Sequence, residues 1–103
     1  IKNCFISEIT VAELLFGAVW SGDEKNVKLT RNFCKDIEII PIGNSLMEYA
    51  LQKSRLRKEG NLIDDFDMLI GCTALANGMT LVTDNLKHFG RLSKLSIENW
   101  IVR

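Results

Sequence analysis

The chain has 103 residues, of which 47% are hydrophobic, so it reads as one small domain, residues 1–103, with a single core and little apolar surface to spare. Thirteen Lys and Arg balance thirteen Asp and Glu, so net charge is zero, bulk charge does not argue for nucleic acid, and only a local basic patch would serve that purpose. No membrane-length apolar run and no leader pattern stands out, and Cys4, Cys34 and Cys72 are scattered and odd in number. The expectation is a soluble, cytoplasmic protein with small core thiols, no membrane partner, no disulfide framework and no zinc site. The chain opens at Ile1 on the approach to a strand, so it reads as a piece of a longer protein.

Cys4-Phe5-Ile6 reads as a buried strand, and Ser7 is placed to cap a helix over Glu8 to Trp20. That helix is apolar nearly all round, with Ile9, Val11, Ala12, Leu14, Leu15, Phe16, Ala18 and Val19, which predicts burial. Glu13 is its one charge beyond the first turn. It shares a face with Ile9, Ala12, Phe16 and Gly17. Ser21-Gly22-Asp23 is a turn, followed by a more polar helix over Glu24 to Lys35 with Val27, Phe33 and Cys34 facing inward. Ile37 to Ile40 reads as a strand ended by Pro41.

Asn44 or Ser45 starts the next helix, and Ser45-Leu-Met-Glu48 fits a capping box. Leu46, Tyr49, Ala50 and Leu56 form its inner stripe, Lys53, Arg55, Arg57 and Lys58 make its second half basic, and Gly60 suits the stop. A further helix covers Phe66 to Ala76, capped by Asp64 or Asp65 and stopped at Asn77-Gly78. Gly71 and Ala74 follow Asp67 at helical spacings and keep that face slim for a neighbouring helix. Thr80 to Thr83 is a strand, Asn85 to Arg91 a turn or short helix carrying His88, and Leu95 to Ile101 a last strand. The order β-α-α-β-α-α-β-β predicts an α/β fold with a mostly parallel sheet, whose functional groups gather beyond the carboxyl ends of the strands.

Three carboxylates stand out against this pattern. Glu13 and Asp67 lie within apolar helices, and Asp84 ends a strand. If they converge, a divalent cation resolves their mutual repulsion, and oxygen donors suit Mg²⁺ or Mn²⁺. Such an ion activates water and neutralises charge on a phosphodiester. Lys53, Arg55, Arg57, Lys58, Lys87 and Arg91 are available to hold phosphate, and Thr83 or Ser7 to assist. Plainer readings stand beside these. Glu13 fits the third position of a capping box from Thr10, and Asp67 fits a role at the helix N-terminal dipole. Asp84 and Asn85 fit turn positions, His88 has no partner motif, the basic run fits a solvated face, and Trp20 and Trp100 fit core or edge packing.

The string Ile6 to Ala18, ISEITVAELLFGA, resembles the second acidic motif of PIN-domain ribonucleases of the VapC toxin type. Ile63 to Phe89, with DMLIGCTA followed by LVT, resembles their third and fourth motifs, and Leu95 to Trp100 their last strand. The resemblance implies a three-layer α/β/α fold and a Mg²⁺- or Mn²⁺-dependent endoribonuclease that cuts tRNA or ribosomal RNA. It further implies a type II toxin held by a cognate antitoxin, and a homodimer. By position it assigns Glu13 and Asp67 as metal ligands, with Asp84 or Asn85 completing the catalytic set. The family's opening strand, which ends in an LDTN-like motif, has no counterpart here. That strand is central to the family's sheet, so the expectation is a sheet lacking it, weak metal binding and low activity for this piece. A non-catalytic PIN-fold binding module, engaging an antitoxin or a second copy, is the alternative from a different class. A phosphatase- or receiver-like domain is the third, disfavoured because its acids cluster after the first strand.

Overall fold

A computed structural model describes residues 4–82 and 86–98. The element order is α/β, with two compact units, residues 1–41 and 42–103. Among the described residues each unit carries a two-stranded parallel ladder.

In the first unit, β1 (Phe5–Ser7) leads directly into α1 (Glu8–Trp20). Ser7 is extended and its Oγ accepts from the Thr10 amide at 3.0 Å, satisfying one of the orphan N–H groups of the first turn. The chain turns at Gly22, whose φ of +72° suits glycine. It then runs through α2 (Glu24–Asp36), capped by Asp23 Oδ1 on the Lys25 amide at 2.9 Å. β2 (Glu38–Ile40) returns parallel to β1, with Ile6 opposite Ile39. The expected burial of α1 is overturned. Only Ala18 of this helix is buried, while Phe16 is 68% and Trp20 80% exposed. A helix that is apolar all round has more apolar surface than the one side packed on β1, β2 and α2 can cover. Trp20 is thus not core: it stacks on Phe16 in the open, with ring centroids 6.2 Å apart. Phe33 of α2, expected inward, is also largely exposed, whereas Val27 and Cys34 are half-buried.

In the second unit a 3₁₀ turn, Gly43–Ser45, precedes α3 (Leu46–Glu59). The expected capping box does not form. Ser45 sits in a helical conformation, and its hydroxyl donates to the Ile42 carbonyl at 2.6 Å and does not reach forward to an amide. Gly60 ends α3 at φ +72°, and the Asn61 amide closes back on the Leu56 carbonyl at 2.8 Å. α4 (Asp65–Ala76) ends at Asn77 and Gly78, the latter at φ +64°. β3 (Leu81–Val82), α5 (Leu86–Phe89) and β4 (Ile97–Glu98) follow, and β3 pairs parallel with β4.

The core of this unit gathers Leu56, Ile63, Met68, Cys72, Phe89 and Leu92, with Tyr49, Ile70, Leu81, Leu95 and Ile97 packed around it. Met68 and Cys72 lie one turn apart on α4 and are fully buried, as is Leu56 on α3. Burial of Met68 or Leu56 contributes about 1.5–3 kcal/mol each. The inner face of α3 differs from expectation. Leu46 and Ala50 are exposed, and Gln52 is buried in their place. Gln52 is satisfied there, donating to Ser93 Oγ at 3.0 Å and accepting from Arg55 at 2.9 Å. Gly71 has the role its spacing suggested. A Cβ on it would strike Leu92 and come within 3.2 Å of Phe89, so glycine lets α5 and the following turn lie close to α4.

Candidate active site

Three acids open α4, and the fold gives each a different task. Asp64 is the N-cap, with Oδ2 accepting from the Phe66 amide at 3.0 Å and the Asp67 amide at 3.4 Å. Asp65 is not a cap. Its Oδ1 accepts from the Tyr49 hydroxyl at 2.9 Å and from Lys53 Nζ at 2.8 Å, both on α3. The Lys53 hydrogen bond, then the Tyr49 one, holds the Asp65 carboxyl below its ordinary value. Lys53 Nζ also donates to the Tyr49 hydroxyl at 3.1 Å, and its bond to Asp65 first, then this one, raises the ammonium above its ordinary value.

Asp67 lies at the third position of α4, half-buried with its side chain 23% exposed. Its Oδ2 is 3.1 Å from His88 Nδ1 on α5. His88 therefore has a partner that no local motif announced. Its 21-residue separation from Asp67 is closed only by the packing of α5 against α4. A faint signal existed, because α5 follows the carboxyl end of a parallel strand, where such folds collect polar groups.

Glu13 lies on the exposed side of α1, in the first unit. Its reading as a capping-box residue fails, because Ser7 is the cap and Thr10 is already the third helical residue. Ser7 is buried and its hydroxyl is committed to Thr10, through both the amide and the Thr10 hydroxyl at 3.1 Å. Lys53 and Arg57 line an open depression on α3 with Tyr49, Ala50, Ser54 and Lys58. Lys87 is exposed on α5. Thr83, Asp84, Asn85 and Trp100 lie outside the described residues.

The donor chemistry at Asp67 fits Mg²⁺ or Mn²⁺ in kind, since a carboxylate presents hard oxygen. Among the described residues no group of three or more His, Cys, Asp or Glu converges to hold a metal. Cys72 offers no soft alternative: it is fully buried, and burial together with the Glu48 charge pushes its thiol up to about 11. Among the described residues no helix is long and apolar enough to cross a membrane.

Comparison with known proteins places the fold. The family model for the PIN domain matches residues 1–95. Ribonuclease VapC2 of Haemophilus influenzae is 35% identical over 102 residues, covering 97% of this chain and 76% of the relative. The tRNA(fMet)-specific endonuclease VapC of Salmonella typhimurium is 30% identical over 97 residues, covering 92% of this chain and 74% of the relative. Among solved structures, DNA-bound VapBC from Salmonella typhimurium superposes with a TM-score of 0.88 at 28% identity, over 94% of this chain and 75% of that one. VapBC2 from Rickettsia felis, bound to a promoter DNA fragment, gives 0.83 at 33% identity, over 92% and 73%. The α/β architecture with parallel strands is that of the PIN fold, and the chain belongs to the PIN-domain family, alongside the VapC ribonucleases.

Proposed function

We propose that this chain is an endoribonuclease toxin of a toxin–antitoxin pair, and that it hydrolyses RNA phosphodiester bonds with the help of Mg²⁺ or Mn²⁺. The observation that carries the reading is the division of labour at the start of α4. Asp64 is spent on the cap and Asp65 on Lys53, while Asp67 is kept half-buried and oriented by His88. Asp67 is also the position to which the family resemblance assigns a metal ligand. Relatives named as ribonucleases support the reaction class, and a relative named for tRNA(fMet) supports a structured RNA substrate.

In this reading Asp67 would hold the ion together with Glu13 and Asp84, with Asn85 as the alternative last donor. A bound ion would supply a nucleophilic water at neutral pH and charge neutralisation on the phosphate. Phosphate oxygens of the RNA are held by Arg57 and Lys87, whose side chains are exposed. Lys53 serves more weakly, because part of its charge is already taken up by Asp65. Ser7 and Thr83 are the hydroxyls assigned to assist. Solved VapBC complexes among the structural neighbours support an antitoxin partner. The exposed apolar side chains of α1, Phe16, Val19 and Trp20, support association, with the antitoxin or as a homodimer.

The test is cleavage of end-labelled tRNA and ribosomal RNA by the purified chain, with Mg²⁺, with Mn²⁺ and with chelator. The expected result is weak cleavage that requires the ion and is lost in Asp67→Asn and Glu13→Gln. Cleavage that survives chelation or both substitutions would overturn the reading. Antitoxin binding without any cleavage would replace it with the binding-module alternative.

A further inference from the structure

We infer that His88 is a positioning residue for Asp67: its imidazole N–H holds one carboxylate oxygen and thereby sets the direction in which the carboxylate faces a divalent cation. This rests on the reading of Asp67 as a metal ligand and deepens it.

The geometry is a two-point clamp. On α4, Asp67 and Gly71 are one turn apart and share a face. On α5, His88 and Phe89 are adjacent. His88 Nδ1 meets Asp67 Oδ2 at 3.1 Å, and the Phe89 ring lies against the bare backbone of Gly71. Phe89 is 5% exposed and belongs to the core, so the backbone that carries His88 is anchored one residue away. The imidazole is thus held in place at its base, with its side chain 38% exposed.

Asp67 needs such a partner. The terminal torsion of an aspartate is broad, so the helix alone does not fix where its oxygens point. An ionised carboxylate only accepts, so the ring nitrogen facing it carries the proton. That bond fixes Oδ2 and leaves the orientation of Oδ1 determined. Metal-ligating carboxylates are held in this manner by outer partners, and loss of such a partner typically weakens metal affinity about 10–100-fold.

The substitution series follows from the shape of the ring. Asparagine places its amide nitrogen where Nδ1 stands, glutamine places it nearer Nε2, and phenylalanine keeps the ring volume without a donor. Mn²⁺ alone is titrated calorimetrically into the full chain and into His88→Asn, His88→Gln, His88→Phe and Asp67→Asn, each checked by thermal melting. Imidazole ¹⁵N shifts of the wild-type chain report which ring nitrogen bears the proton. The expected outcome is a proton on Nδ1, wild-type Mn²⁺ affinity in His88→Asn, a loss of about 10–100-fold in His88→Gln and His88→Phe, and no binding in Asp67→Asn.

Wild-type affinity in His88→Phe with loss in Asp67→Asn would overturn the positioning role while leaving Asp67 a ligand. Wild-type affinity in Asp67→Asn, or no Mn²⁺ binding by the wild-type chain, would overturn the ligand reading itself. Where His88→Phe melts too low to titrate, equal affinities of His88→Asn and His88→Gln, or a neutral ring protonated on Nε2, would overturn the proposal.

Discussion

Lys53 and Asp65 lie on successive helices, and the Lys53 ammonium sits 2.8 Å from Asp65 Oδ1, with the Tyr49 hydroxyl on the same oxygen. This contact explains why two acids so close in sequence differ in character. Asp65 is neutralised from α3, and Asp67, on another face of α4, is left to His88. Its signature is a pH dependence of known sign. The Asp65 carboxyl titrates lower in the folded chain than in the unfolded one, so its contribution is present above about pH 3.8 and is lost as pH falls further, through the folded value. Lys53→Met is expected to flatten the acid limb of a stability–pH profile measured by urea melts. An unchanged acid limb would show that the contact does not persist in solution.

Gly71→Ala pits two effects against each other. Alanine favours a helix interior over glycine by about 1 kcal/mol. Its methyl would strike Leu92, which is 3% exposed and has nowhere to go, and overpacking costs about 1–3 kcal/mol. The steric term is expected to win, giving net destabilisation in chemical denaturation. In a Leu92→Ala background the same substitution is expected to be neutral or stabilising, because the obstacle is gone. Equal costs in both backgrounds would contradict the packing described here.

Cys72 is expected to resist thiol reagents in the native chain, while Cys4 and Cys34, both half-buried, react. Burial raises its folded value to about 11 from an ordinary 9.0. The neutral thiol is therefore part of the folded state. Its contribution is complete below about pH 9.0 and is lost as pH rises through about 11. Labelling followed by peptide mapping, with and without denaturant, checks the first expectation. Cys72→Ala is expected to lessen the alkaline loss of stability.

Asp64→Ala removes the acceptor for two amides of the first turn of α4. The expected cost is about 0.5–2 kcal/mol in chemical denaturation. Asp64→Asn keeps an acceptor and is expected to cost less. Similar losses in both would mean that charge, not the cap bond, carries the effect.

Much of the fold was legible because its signals are local. Ser7 as cap and Gly60 as stop are legible, since a cap bond spans three residues and a left-handed stop needs only the right backbone. Asp64 and Asp65 both fit the cap position of α4, and the structure uses Asp64. The readings that failed share a different cause. Ser45 matched a capping box, but the 3₁₀ turn before it supplied another acceptor. Helical spacing points Leu46 and Phe33 inward, but it reports what a helix can bury and not how many neighbours it has. His88 fits a surface or half-buried position, as the structure has it, and only its partner, 21 residues away, lies beyond any local pattern.

The sequence by itself determined where the helices and strands run, how most of them begin and end, and which family motifs the chain carries. These rest on hydrogen bonds and spacings within a turn or two of the backbone. Only the tertiary structure decided what each acid at the head of α4 does. Lys53 reaches Asp65, and His88 reaches Asp67, because packing of Phe89, Leu92 and Met68 draws separate segments together. The identity of the partner then depends on which face of α4 each carboxylate occupies, a relation that exists only once the chain has closed on itself.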